Sequence, residues 1–356
     1  MGRGQHKRAA TATWSGISTE STTLVDGICL DRFKHANGDG LIEVPRGPLA
    51  RGSGEVIIDA PFPRLGAYRL LEILGEGGMA RVYLAEHAII RKRVAIKTLL
   101  PEFCTYRDAH DVLMREARIA AQVRHPNSAE IFDFAFDDRG CPYYVMELAC
   151  GETLARRIER GPLLMSQALS IIIRVADAVA AVHRAGFLHR DVKSENVILT
   201  RSGRRVNPKL VDFGIARPLN PVSDDGLVGM VGTPRTMAPE QISQDTVDER
   251  TDVWALGIML YEMLTGEVPF STHESIRDDL VAIVTESPRP LPLGLGGDVC
   301  RIIEACLCKE REGRPRTAAM LVERLRKVEA DYVSRHELIE RALRSDEVAP
   351  HDDVAA

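Results

Sequence analysis

Four side chains in two neighbouring segments have the types and spacing that phosphoryl transfer requires. Moving a γ-phosphoryl group needs an oriented hydroxyl, metal ions that bridge phosphate oxygens, and positive charge against the developing negative charge. Asp191 is predicted to accept or orient the proton of the substrate hydroxyl, and Lys193 to neutralise charge near the transferred group. Asn196 and Asp212 carry the hard oxygen atoms that Mg²⁺ prefers. Together they predict a phosphotransferase site.

The motifs around these residues resemble one family. Residues 189–196 read His-Arg-Asp-Val-Lys-Ser-Glu-Asn, and residues 212–214 read Asp-Phe-Gly. With the elements described below, residues 68–327 resemble the eukaryotic-like (Hanks-type) serine/threonine protein kinases of bacterial type. The lysine two residues after the aspartate is typical of the serine/threonine branch. The resemblance implies transfer of the ATP γ-phosphoryl group to Ser or Thr of protein substrates, autophosphorylation, and Mg²⁺ with Mn²⁺ as an alternative.

The fold class is predicted to be α+β and bilobal, because β-like alternation begins at Tyr68 and long helical patterns dominate after Gly151. A small antiparallel β lobe with one helix is expected before a larger, mainly helical lobe, with the ligand cleft between them. Apolar spacing predicts helices over the segments 108–122, 166–185 and 252–264. The predicted domains are a mobile leader at 1–66, the two lobes at 67–150 and 151–327, and a charged tail at 328–356.

A glycine-rich segment is expected to cover the phosphates. Residues 75–82 read Gly-Glu-Gly-Gly-Met-Ala-Arg-Val, and the missing side chains would let backbone amides approach a nucleotide. A dinucleotide-binding fold also uses spaced glycines, but there they open a helix, whereas here a β-like alternation follows. Ala80 departs from the family, in which glycine is commonest. The implied nucleotide contacts are Leu74, Gly75, Glu76, Gly77, Gly78, Met79, Ala80, Arg81 and Val82.

A lysine ends the apolar run Val-Ala-Ile-Lys at residues 94–97. An unpaired ammonium in such a strand is costly to bury, so Lys97 needs anionic partners. The resemblance supplies them as the α- and β-phosphates of ATP and the carboxylate of Glu116. Glu116 would alternatively be a solvated helix charge, but its register before residues 124–127 favours the ion pair. Lys97 and Glu116 therefore join Asp191 and Lys193 in the predicted catalytic set.

The segment 143–149, Tyr-Tyr-Val-Met-Glu-Leu-Ala, resembles the strand and hinge that join the two lobes. By that resemblance the Glu147 carbonyl and the Ala149 amide bond adenine, and Met146 borders the pocket behind the base. Three apolar residues are expected to sandwich the ring, although each is also a good core residue: Val82, Ala95 and Ile198.

Further matches concern architecture rather than chemistry. Glu240 is expected to pair with a buried Arg314, and Asp252 to hold the backbone of the catalytic loop. His189 is expected to pack and to take no catalytic role. These assignments come from the resemblance.

The activation segment departs from the family pattern. Ser223 is the only hydroxyl between residues 213 and 232, and two aspartates follow it. Our hypothesis is that Asp224 and Asp225 partly substitute for a phosphate. The rival is phosphorylation at Ser223, Thr233 or Thr236. Thr233 is also expected to bond near Asp191 and Lys193.

Composition excludes several classes of protein. A net charge of -5 over 356 residues argues against a nucleic-acid or lipid binder. No apolar run approaches the roughly 18 residues of a membrane-spanning helix, so a cytoplasmic protein is expected. The seven cysteines are scattered without a Cys-x-x-Cys pair, and reduced thiols are expected.

Two other readings of the site stay open. A pseudokinase-like scaffold would bind nucleotide without transfer, although the roles of Lys97, Asp191 and Asp212 are all filled here. A small-molecule phosphotransferase shares the catalytic carboxylates, but the segments Gly-Thr-Pro at 232–234 and Ala-Pro-Glu at 238–240 are typical of kinases with protein substrates. The expected partners are protein substrates with Ser or Thr acceptors and a second copy of the chain for autophosphorylation.

Overall fold

The computed structural model describes residues 23–25, 28–30, 64–203, 205–212, 217–218, 234–270 and 275–346, with side chains only between 64 and 335. The chain divides into two units, Met1–Phe62 and Pro63–Ala356. In the first, strands β1 (Thr23–Val25) and β2 (Ile28–Leu30) form an antiparallel pair. Most of the predicted leader falls outside the described residues, and its mobility stays a prediction.

The second unit begins with the sheet of the small lobe. Its strands are β3 (Arg64–Leu65), β4 (Tyr68–Glu76), β5 (Ala80–His87), β6 (Arg93–Leu99), β7 (Ile131–Phe136) and β8 (Pro142–Met146). They are antiparallel in the order β3-β4-β5-β6-β8-β7. The sheet therefore starts inside the segment that was predicted to be leader.

Strand register sets which side chains share a face of this sheet. Lys97 of β6 lies opposite Val82 of β5 and Tyr144 of β8, and Ala95 lies opposite Met146. Directly opposed residues project to the same face, and so do residues two apart along a strand. All five side chains consequently project to one face of the sheet.

Helix α1 (Arg107–Gln122) packs on that face after a short 3₁₀ turn at Pro101–Phe103. Its buried positions recur every three or four residues, as expected for a helix with one apolar stripe. They are Ala109, Leu113, Glu116, Ala117, Ile119 and Ala120. The helix ends at Gln122, which is the predicted end, ahead of the His125-Pro126 step.

One pair of cysteines is oxidised. Cys104 and Cys141 form a disulfide across a sequence separation of 37 residues, so the expectation of reduced thiols is wrong for this pair. The two residues meet because α1 packs against the sheet, a contact that cysteine spacing alone does not reveal. Among the described cysteines the free ones are Cys150, Cys300, Cys306 and Cys308.

The large lobe contains the remaining elements. Its strands are β9 (Gly151–Thr153), β10 (Phe187–Leu188), β11 (Val197–Ser202), β12 (Arg205–Leu210) and β13 (Arg217–Pro218). Its helices are α2 (Leu154–Glu159), α3 (Met165–Arg184), α4 (Pro239–Ile242), α5 (Glu249–Thr265), α6 (Ile276–Thr285), α7 (Gly297–Cys306) and α8 (Ala318–Asp346).

Helices α3 and α5 form the centre of this lobe. Nearly every residue of α5 is buried, including Trp254, which stacks on Phe270. The expectation that no apolar run approaches the length of a membrane-spanning helix is wrong for α3, which within the described residues is the one helix long and apolar enough to cross a membrane; 61% of its apolar window is buried inside the protein. That burial is typical of a core helix.

The prediction of an α+β, bilobal fold is confirmed. Helix α8 runs without interruption across the predicted tail boundary at 327/328.

Candidate active site

Asp252, near the start of α5, positions the catalytic loop. Its Oδ2 accepts the amide of His189 at 2.9 Å, and its Oδ1 accepts the amide of Arg190 at 2.7 Å. Arg190 has a φ of 65°, a conformation that non-glycine residues seldom adopt without support. The two hydrogen bonds supply such support, and the predicted role of Asp252 is confirmed.

Burial of charge around Asp252 is offset by hydrogen bonds. Burial favours the neutral carboxyl, but His183 Nε2 lies 2.8 Å from Oδ2, and together with the backbone amides it holds the pKa of Asp252 below its usual value. Burial lowers the pKa of the His189 imidazole. His189 is therefore neutral at physiological pH, which suits a packing residue.

Three loop residues form a compact polar group. Lys193 Nζ lies 2.9 Å from Asp191 Oδ2. Asn196 Nδ2 donates to the Asp191 backbone carbonyl at 2.9 Å and to Oδ2 at 3.0 Å. The carboxylate is thus held in one orientation by a cation and an amide that belong to the same loop.

Lys97 connects the small lobe to the segment after β12. Its Nζ donates to Glu116 Oε1 at 2.6 Å and to Asp212 Oδ1 at 2.8 Å. Burial alone would lower the pKa of Lys97, but the two carboxylates outweigh it and raise that pKa. The lysine is consequently charged at physiological pH. Asp212 itself has a φ of 67°, another left-handed residue at this site.

Tyr144 is a contributor that sequence analysis missed. Its hydroxyl donates to Glu116 Oε1 at 2.6 Å, and burial raises its pKa well above the usual value, so it stays protonated as a donor. Burial also raises the pKa of Glu116 to about 7, although Lys97 and Tyr144 oppose that rise. The sequence could have indicated this role, because Tyr144 lies two residues before Met146 on one strand and both side chains therefore project to the same face.

The predicted nucleotide residues meet in part. Leu74, Met79, Val82, Ala95 and Met146 belong to one apolar cluster beside α1. Among the described residues Ile198 does not join that cluster. It is half-buried on β11, opposite Thr153 of β9.

The glycine-rich segment is the turn between β4 and β5. Gly77 N donates to the Ala80 carbonyl at 2.8 Å, which closes the turn. Arg81 Nε donates to Glu76 Oε2 at 2.5 Å and links the two strand ends. A Cβ built at Gly75 or Gly78 meets nothing within 4 Å, so the turn has open space on its surface.

The hinge leaves backbone groups for a ligand. Glu147 N donates to the Glu130 carbonyl at 2.8 Å, and its side chain accepts from Lys209 at 2.7 Å. Within the part of the chain that the structure describes, neither the Glu147 carbonyl nor the Ala149 amide takes part in a backbone hydrogen bond. Gly151, two residues after Ala149, must be glycine, because a Cβ there would lie 2.2 Å from the Leu199 carbonyl oxygen.

The predicted pair of Glu240 and Arg314 is confirmed. Arg314 Nη1 lies 2.8 Å from Glu240 Oε1, and Nη2 lies 3.0 Å from Oε2. Thr251 Oγ1 donates to the same carboxylate at 2.8 Å. Both charged side chains are buried.

Most of the predicted activation segment lies outside the described residues, namely Phe213, Gly214, Ser223, Asp224, Asp225, Gly232 and Thr233. Thr236 is described and ends a 3₁₀ turn at Pro234–Thr236.

Comparison with known proteins gives the family. Residues 68–325 match the protein kinase domain, and the chain belongs to the protein kinase family. It is similar to the serine/threonine-protein kinase pkn2 of Myxococcus xanthus, with 35% identity over 73% of this chain and 32% of the relative. It is also similar to Pkn1 of the same organism, with 37% identity over 70% of this chain and 36% of the relative.

A third relative comes from a different bacterium. Serine/threonine-protein kinase PrkC of Bacillus subtilis is 35% identical over 63% of this chain and 34% of the relative. The chain therefore spans about a third of the length of these relatives.

Proposed function

We propose that the chain transfers the γ-phosphoryl group of ATP to Ser or Thr hydroxyls of protein substrates, itself included. The observation that carries the proposal is that two groups of polar side chains are each held together by short hydrogen bonds. Lys97 binds Glu116 and Asp212 at 2.6 and 2.8 Å, while Asp191 is oriented within its own loop. The two groups lie on segments that meet where Val211 N donates to the Asn196 carbonyl at 2.9 Å. A charged lysine beside an aspartate, together with an oriented carboxylate, is the arrangement that phosphoryl transfer uses.

Each residue has a distinct role in this proposal. Asp191 accepts the hydroxyl proton of the substrate, and Lys193 stabilises negative charge on the transferred group. Lys97, held by Glu116, binds the α- and β-phosphates. The contacts of Lys97 are preformed, so little reorganisation accompanies binding.

The residues present fit a nucleotide with a divalent cation. The apolar cluster that includes Val82, Ala95 and Met146 suits a purine, and the hinge carbonyl and amide suit its polar edge. Asp212 and the Asn196 Oδ1 atom are hard ligands for Mg²⁺ or Mn²⁺. Bound Mg²⁺ would neutralise phosphate charge.

The proposal also covers the acceptor residues, the location in the cell and the terminal segments of the chain. Lys193, two residues after Asp191, and the similarity to proteins named serine/threonine-protein kinases support Ser and Thr acceptors. We propose a cytoplasmic location, where ATP is available, and autophosphorylation within a homodimer. Residues 1–62 are proposed as a leader and residues 328–356 as a charged tail, since the sheet of the small lobe already begins at Arg64.

One experiment separates this function from its rivals. The full chain is incubated with γ-labelled ATP and Mg²⁺, a generic protein acceptor, and a panel of aminoglycosides. Label on the acceptor or on the chain itself, recovered as phosphoserine or phosphothreonine, is the expected result. Label only on a drug would instead indicate a small-molecule phosphotransferase, and nucleotide binding without label anywhere would indicate a scaffold.

A further inference from the structure

The disulfide lies at the base of the helix that carries Glu116. Cys104 precedes α1 by three residues, and Cys141 directly precedes β8, with their Cα atoms 5.1 Å apart. The closed loop of chain contains the whole of α1 and β7. The bond therefore ties the beginning of α1 to the strand on which Tyr144 lies.

The two ends of α1 are held in different ways. At the C-terminal end Ile119, Ala120 and Val123 pack with Val182 of α3, in the large lobe. At the N-terminal end Tyr106 provides no side-chain cap. Uncapped helix starts fray, because their first amides lack partners. The disulfide is a covalent restraint on this uncapped end, where Ala109 and Leu113 are buried and His110 Nε2 lies 2.7 Å from the Cys104 carbonyl oxygen.

If the N-terminal end of α1 became loose, the hydrogen bonds of Glu116 in the candidate active site would be disturbed. Glu116 Oε1 receives hydrogen bonds from both Lys97 and Tyr144 at 2.6 Å. Hydrogen bonds weaken steeply with distance and angle, so a displacement of α1 on the order of 1 Å would weaken both. Cys141, Leu113 and Tyr144 share one buried cluster, through which a change at the sulfur atoms reaches Glu116.

We propose that Cys104–Cys141 is a thiol–disulfide exchange site, and that a dithiol reductant releases α1 through it and lowers phosphoryl transfer. The effect on transfer rests on the proposed function, whereas the release of α1 does not. The oxidised chain is the form in which Glu116 is held on Lys97.

The exchange balances as a two-electron reduction. A thiolate of the dithiol attacks Cys104 Sγ, since Cys104 is half-buried and Cys141 is only 3% exposed. The S–S bond breaks, and Cys141 leaves as a thiolate that takes up a proton. The second thiol of the reductant then resolves the mixed disulfide, which frees Cys104 as a thiol and leaves the reductant as a disulfide.

The test compares the full chain before and after treatment with dithiothreitol. Alkylation and peptide mass mapping should find Cys104 and Cys141 blocked before reduction and labelled after it. Amide hydrogen exchange in the first turns of α1 should accelerate. The rate of phosphoryl transfer should fall roughly tenfold to a hundredfold, with the KM for ATP raised.

Variants separate the disulfide from other effects of the reductant. Cys104→Ser and Cys141→Ser should each behave like reduced protein whether or not dithiothreitol is present. Cys300→Ser, a change at a free and half-buried cysteine on α7, should respond to the reductant as the unaltered chain does.

Three results have separate meanings. Alkylation of both cysteines without reductant, or unchanged exchange in α1 after reduction, overturns the proposal. Measurable and equal transfer rates in the two redox forms overturn its effect on transfer. Faster exchange in α1 without transfer in either form supports the exchange site and contradicts the proposed function instead.

Discussion

Lys97 and Glu116 are joined at 2.6 Å inside the small lobe, although one lies on β6 and the other on α1. Glu116 is 3% exposed and Lys97 is 8% exposed, so water screens their attraction little. Their contact holds the helix against the sheet and keeps the ammonium beside Asp212.

Removal of the ammonium should disable transfer more than binding. Lys97→Met should lower kcat/KM by about a hundredfold to a thousandfold, because a charge that positions phosphates is lost while the apolar base pocket stays. Lys97→Arg is the matched control, since it keeps the charge but not the compact ammonium geometry. Steady-state rates and nucleotide affinity by titration give both quantities. A wild-type kcat/KM for Lys97→Met would contradict the assignment.

Tyr144→Phe should move the pH dependence of activity. The hydroxyl favours the ionised form of Glu116, whose pKa is about 7, so its loss raises that pKa further. The ion pair with Lys97 needs the carboxylate, and activity falls as pH drops through this pKa. The acidic limb of kcat/KM should therefore shift upward by about one to two pH units, with equal rates at alkaline pH.

Tyr143→Phe is the control for that experiment. Tyr143 neighbours Tyr144 but packs in a different cluster, with Leu70 and Ala85 on the other face of the sheet. Its profile should match the unaltered chain. If the acidic limbs of both variants coincide with that of the unaltered chain, the Tyr144 hydroxyl does not support Glu116.

Asp252 should matter for turnover although it lies behind the catalytic loop. Asp252→Ala removes the acceptor for the amides of His189 and Arg190, so the loop loses its support and kcat should fall by about a hundredfold. Asp252→Asn keeps one acceptor oxygen and should fall less. Single-turnover kinetics below the melting temperature of each variant isolate this effect, and normal turnover in Asp252→Ala would exclude it.

Arg314 should matter for stability rather than chemistry. Arg314→Ala leaves the buried Glu240 carboxylate without its cation and should reduce the free energy of unfolding by about 3 to 5 kcal/mol. The double variant Glu240→Gln with Arg314→Met should lose less, because no unpaired charge remains. Denaturant titration measures both. A single variant as stable as the unaltered chain would show that the pair is dispensable.

Much of the site was predictable because its residues are close in sequence or follow a strand period. Asp191, Lys193 and Asn196 meet within one loop, so their spacing alone brings them together. The residues of β5, β6 and β8 share a face because side chains alternate along strands. The two lobes were predicted from the change along the chain from strand-like to helix-like spacing of apolar residues.

The contacts that escaped prediction depend on packing between distant segments. The bond between Cys104 and Cys141 exists because packing of α1 on the sheet brings the two cysteines together. The spacing of cysteines along the sequence does not predict that packing. The hydroxyl of Tyr144 was unassigned because an aromatic residue in a buried strand is ordinarily core. Helix α8 continues to Asp346 because its charged sequence still favours helix after the packed part ends.

The most direct test of the proposed function is the rate of γ-phosphoryl transfer by Asp191→Ala, measured beside its affinity for ATP. The variant should bind ATP nearly as well as the unaltered chain, because the apolar cluster proposed to hold the base does not include Asp191, while transfer should fall by about three orders of magnitude or more. An undiminished rate of transfer would contradict the account.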